Sequence, residues 1–111
     1  MPKMQLLNIA VARKDGSITT QSVDAYVMRL YVGGVQHRFM VHKDVTGAAQ
    51  LSDLRSGYRI GSLDQIKALN FRSYQTMTDR RAAELLIQKA IDRSGADQVR
   101  AKLAEPPTIN P

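Results

Sequence analysis

A chain of 111 residues, 43% of them hydrophobic and none of them cysteine, has material for one core and excludes disulfides, thiolate metal sites and cysteine nucleophiles. Sixteen Lys and Arg against ten Asp and Glu give a net charge of +6, which favours phosphate backbones or acidic protein surfaces as partners. No segment approaches the ~20 apolar residues of a membrane span, so the expectation is a cytoplasmic single domain over residues 1–105 with a flexible tail at 106–111.

Residues Gln5 to Arg13 are strand-compatible, and the Asp15-Gly16 pair that follows suits a tight hairpin turn, because glycine tolerates positive φ. The second arm starts at Ile18. It is expected to bend or break around Ser22 to Asp24, since one strand from Ile18 to Val32 exceeds the usual length. A second hairpin is the strongest local signal: Ala25 to Val32, then Gly33-Gly34, then Val35 to His42. With the glycines as a two-residue turn, Val32 faces Val35, Leu30 faces His37, Met28 faces Phe39 and Tyr26 faces Val41, which predicts the core face. The other face pairs Tyr31 with Gln36, Arg29 with Arg38, Val27 with Met40 and Ala25 with His42. Arg29, Tyr31 and Arg38 form its partner-facing surface.

Asp44 to Ser56 lacks periodicity and reads as a loop. Tyr58 to Leu63 suits a fourth strand, while Ser62 with Gln65 and the spacing of Leu63, Ile66 and Leu69 suggest a short helix ending near Asn70. Thr76 or Thr78 can cap the main helix, whose Ala83, Leu86, Ile87, Ala90 and Ile91 share a stripe that stops at Ser94-Gly95. Ser94 with Asp97 predicts a capping box for a second short helix with Ala96, Val99 and Leu103 inward, ending before Pro106-Pro107. The predicted fold is therefore α+β: an antiparallel sheet of three or four strands, from two N-terminal hairpins, packed against one main C-terminal helix, then a short second helix and an extended Pro-rich tail.

Catalytic motifs are missing: there is no phosphate loop ending in Lys, no dinucleotide fingerprint and no nucleophile elbow. His37 and His42, five apart on one strand, point to opposite faces and cannot share a metal ion within one chain. A non-enzymatic protein without cofactor or metal is the expectation. The charge is uneven, because residues 55–81 hold Arg55, Arg59, Lys67, Arg72, Arg80 and Arg81 against Asp64 and Asp79, a net +4 of the total +6. Tyr58, Phe71 and Tyr74 interleave with them, and Arg beside aromatic rings is the combination that contacts phosphates and stacks on unpaired bases. The expected site is this cluster, Tyr58 and Tyr74 included. Its expected partner is nucleic acid bound with limited sequence specificity, or alternatively an acidic surface of a larger protein assembly. A free sheet edge offers a route to a homodimer.

Overall fold

The computed structural model describes residues 3–12, 14–69, 77–105 and 108–110. They form five strands and three helices in the order β1 (Gln5–Ala12), β2 (Ile18–Val32), β3 (Val35–Lys43), β4 (Ala49–Asp53), β5 (Arg59–Ser62), α1 (Leu63–Leu69), α2 (Asp79–Ser94) and α3 (Ala96–Leu103). The fold is α+β, with one antiparallel meander ordered β1-β2-β3-β4-β5.

The sheet has five strands where three or four are predicted, and the missed β4 accounts for the difference. Residues 44–56, expected as loop, contain β4. Its Gln50 and Ser52 are buried polar residues, which hides the alternation that marks a half-buried strand. In addition, β2 runs unbroken through Ser22 to Asp24 for 15 residues. A strand that long is kept in pairing by two successive partners: β1 pairs with Ile18 to Ala25, and β3 pairs with Ala25 to Val32. The β2–β3 register is the one predicted from the Gly33-Gly34 turn, with Val32 opposite Val35 and Ala25 opposite His42; both glycines adopt positive φ.

Alternation along β2 and β3 then sorts side chains between two faces. On one face Met28, Leu30, Val32, Phe39, Val41 and Leu51 are buried beneath the helices. Those contribute Leu63 and Ile66 from α1, Ala82, Ala83 and Ile87 from α2, and Leu103 from α3. On the other face a smaller apolar cluster gathers Ala25, Met40 and Leu54, flanked by Leu7, Ile9, Val23 and Val27.

Helix boundaries follow local chemistry. Ser62 Oγ accepts from Gln65 N–H at 3.2 Å at the start of α1, and Thr78 Oγ1 accepts from Arg81 N–H at 3.1 Å at the start of α2. Thr76, the other predicted cap, lies outside the described residues. The capping box predicted at Ser94 does not form: Ser94 ends α2, Gly95 precedes α3 with no side-chain cap, and Asp97 pairs with Arg100 instead.

The sheet curls until its first strand meets the β4–β5 turn. At Gly57 a Cβ would lie 2.8 Å from Ala10 N and 2.4 Å from Ile109 Cδ1, and φ there is +73°, so only glycine permits this approach. The tail predicted to be flexible is docked over its described part. Asn110, 7% exposed, donates from Nδ2 to the carbonyls of Asn8 (2.8 Å) and Leu54 (2.7 Å) and accepts from Asn8 N–H at 3.0 Å. Ile109 N–H donates to Arg55 O at 2.7 Å. The side-chain amide thus takes the place of a strand neighbour for β1, satisfying main-chain groups that a free tail would leave open.

Candidate binding surfaces

Among the described residues, the cationic positions predicted between 55 and 81 are spread over several places in the fold. Arg55, in the turn after β4, donates from Nη2 to the carbonyls of Leu103 and Glu105 and from Nη1 to Thr108 Oγ1. A guanidinium satisfies several orphan carbonyls at a helix C-terminus and complements its dipole, so this Arg holds α3 and the C-terminal segment. Lys67 pairs with Asp79 Oδ1 at 2.6 Å, and Asp79 also accepts from the Tyr26 hydroxyl. That triad ties α1 and α2 to β2. The Lys67 hydrogen bond, then that of Tyr26, holds the Asp79 carboxyl below the usual carboxylate range, while burial and the neighbouring carboxylate push the Tyr26 hydroxyl well above its ordinary value.

Tyr58 is exposed, and the Lys102 ammonium sits 5.2 Å from its ring centroid, a cation–π contact that occupies the ring face. Arg59 lies on β5, on the sheet side away from the helices, where it lines a cleft with His42. Arg72 and Tyr74 lie outside the described residues. Arg80 and Arg81 are brought together, in the first turn of α2.

Other cationic residues lie around the β2–β3 hairpin, Arg29 and Arg38 on the sheet face away from the helices and Arg80 and Arg81 on α2, which covers the opposite face. Arg29 and Arg38 are direct cross-strand partners. The Arg38 carbonyl accepts from Leu54 N–H on the β4 side, and the Arg29 carbonyl accepts from Arg80 Nη1 at 3.0 Å on the outer edge of β2. Both carbonyls therefore point away from the ladder the two residues share, which makes theirs the narrow, non-hydrogen-bonded pair in which side chains approach most closely. Like charges directly opposite are destabilising there. Among the described residues neither pairs with an acid, nor do Arg80 and Arg81. Tyr31, 66% exposed, shares a shallow groove with Arg80, Arg81 and one acid, Glu84. Arg80 also covers part of the β2 edge, which beyond Ala25 has no strand partner on its outer side.

No family model, curated protein or solved structure matches the chain. Its surfaces are therefore read from their own chemistry.

The second candidate is the cleft on the open sheet face, about 560 Å³ in volume. Its polar floor is His42, Gln50 and Ser52, all buried, with His42 Nε2 2.9 Å from Ser52 Oγ. Burial pushes the His42 imidazole below its ordinary value, which favours the neutral ring. The His–Ser pair resembles the first two members of a hydrolytic relay, but among the described residues no carboxylate hydrogen-bonds to the His42 ring, and Ser52 is only 2% exposed. An orienting partner and an accessible hydroxyl are what nucleophilic catalysis requires. His37 lies on the opposite face, as its spacing from His42 predicts, in a recess with Arg55 and Leu103. Among the described residues no three His, Asp or Glu side chains are grouped to hold a metal ion, and no helix is long and apolar enough to cross a membrane.

Sequence reasoning places Arg29, Tyr31 and Arg38 on one face but misses Gln50 and Ser52. Their role depends on β4 pairing with β3, which sets Gln50 opposite His42 and Ser52 opposite Met40. The only signal in the sequence is the short alternation Gln50-Leu51-Ser52, too brief to separate strand from loop.

Proposed function

We propose that the protein is a non-enzymatic binding module that engages nucleic acid through the β2–β3 hairpin and the start of α2, with Arg29, Arg38, Arg80 and Arg81 on phosphates and Tyr31 stacking on an unpaired base. The observation that supports this reading is the opposition of Arg29 and Arg38 in a narrow pair, with no acid among the described residues to neutralise either. Folding alone disfavours two cations at that position, whereas a phosphate backbone between them turns repulsion into two charge-assisted contacts. Arg80 and Arg81 repeat the pattern at a helix N-terminus, where cations oppose the dipole. An exposed tyrosine beside guanidinium groups suits single strands, since every base presents a π face.

Fluorescence anisotropy with labelled single-stranded DNA and RNA over a salt series tests the proposal. Four phosphate contacts to a single strand predict a log–log salt slope of about −3. The double variant Arg29→Gln/Arg38→Gln is expected to lower affinity for all sequences alike and to reduce that slope by about 1.4. Tyr31→Ala is expected to weaken binding with little change in slope. Absence of binding at low salt overturns the reading and leaves an acidic protein surface as the class of partner to seek.

A further inference from the structure

We propose that the cleft on the open sheet face binds a small organic carboxylate that carries an N–H or O–H donor and an apolar body. Three features of the cleft, independent of the hairpin surface, each demand one part of that ligand.

The donor is called for by Gln50. This residue is 2% exposed and lines the cleft. Nε2 donates to Asp44 Oδ2 at 2.8 Å, but Oε1 has no partner among the described residues. An amide carbonyl out of water and without a donor is a costly arrangement in a folded chain. His42 Nδ1, also buried, has the Lys43 main chain for a neighbour, so the Gln50 carbonyl is the floor atom whose capacity is unused.

The carboxylate is called for by the rim. Lys43 and Arg59 are exposed and pair with no acid among the described residues. The third charged group there, Asp44, is already engaged. Its Oδ1 accepts from Thr46 N–H, Thr46 Oγ1 and Ala48 N–H, and its Oδ2 accepts from Gln50. Two free cations and one spent carboxylate leave a net single positive charge, which matches a monoanion better than a phosphate dianion. The Arg59 guanidinium supplies a planar fork of the kind that takes a carboxylate.

The apolar body is called for by the opposite wall, formed by Ile9, Val11 and Val23 from β1 and β2. Water can satisfy Gln50 Oε1, yet it leaves the apolar wall and the rim cations unanswered. An amphipathic anion answers all three, in line with small-molecule sites that combine mostly apolar walls with a few polar groups.

Calorimetric titration of the full chain with indole-3-acetate, monitored in parallel by ¹H–¹⁵N NMR, tests this, because the probe joins a ring N–H, an apolar ring and a carboxylate. Saturable binding is expected, with shifts centred on β1, His42 and Gln50. Indole-3-acetamide, which lacks the charge, and 1-methylindole-3-acetate, which lacks the donor, are each expected to bind about tenfold more weakly or worse. Arg59→Gln, at an exposed position, is expected to weaken indole-3-acetate by a similar factor while leaving the acetamide unaffected. Lack of saturable binding overturns the proposal, as do equal affinities for the three probes, indifference to Arg59→Gln, or shifts centred on the helices.

Discussion

The two faces of the sheet are closed by different means. Under the helices the face is continuous and apolar, from Met28 and Phe39 through Leu51, and elements from all three helices cover it. Among the described residues no helix covers the open face. It buries Ala25, Met40 and Leu54 by curling β1 toward the β4–β5 turn, and it also carries buried polar residues (His42, Gln50, Ser52) and exposed cations (Arg29, Arg38). Stability concentrates where packing is complete, and binding chemistry collects where it is not. Phe39 and Met40, adjacent in the chain and both fully buried, therefore belong to different cores.

The largest expected effect comes from separating those cores by mutation. Phe39→Ala opens a cavity under the helices and should cost about 3–5 kcal/mol, while Met40→Ala should cost about 2–3 kcal/mol because a curled strand relaxes more readily than packed helices. Urea unfolding gives the totals, and amide hydrogen exchange gives their location. Phe39→Ala should speed exchange in α2, and Met40→Ala in β1. If Met40→Ala loosens α2 as much as β1, the two cores act as one cooperative unit and the contrast fails.

Next in size is the closure of the open face. Asn110→Ala removes three hydrogen bonds and strands the buried carbonyl of Leu54 and the N–H and carbonyl of Asn8, so a loss of about 2 kcal/mol is expected. Exchange should accelerate in β1 and near Gly57, with the helix-side core unchanged. A loss under about 0.5 kcal/mol, within the range of an ordinary surface change, would show that β1 holds its curl without the C-terminal segment.

This contrast also explains what was legible in the sequence. Turn chemistry is local, so Asp15-Gly16, Gly33-Gly34, Thr78 and Gly95 mark their boundaries directly, and the glycine pair fixes a register that places Arg29, Tyr31 and Arg38 together. What depends on distant partners was hidden. The uninterrupted course of β2 follows from a change of partner at Ala25, and β4 is masked by polar residues that are buried because His42 and Asp44 receive them. Arg55 reads as a binding cation until the carbonyls at the end of α3 are seen to take it. Asn110 meets Asn8 across a separation of 102 residues, beyond the reach of any periodicity. Charge density along a chain thus overstates a binding surface, since guanidinium groups serve main-chain carbonyls as readily as phosphates.

The smallest expected effect sharpens the helix side, where a polar triad crosses a largely apolar boundary. Asp79 receives Lys67 and Tyr26, and these donors favour its charged form, so its folded pKa lies below the ordinary 3.8. The resulting stability is fully present above that ordinary value, where the unfolded chain is also ionised, and it is lost as pH falls through the lower folded value. Its side chain is 37% exposed, so solvent screening limits the pair, and Asp79→Asn should cost about 1 kcal/mol near neutral pH. Urea midpoints measured from pH 6 down to pH 2 should converge for the two proteins as the wild-type carboxylate is protonated. The Asp44 carboxyl, lowered to about 2 chiefly by its Thr46 hydroxyl, titrates in both proteins and cancels from the difference. A gap that stays constant over the whole range would assign the effect of Asp79→Asn to packing and helix capping rather than to charge.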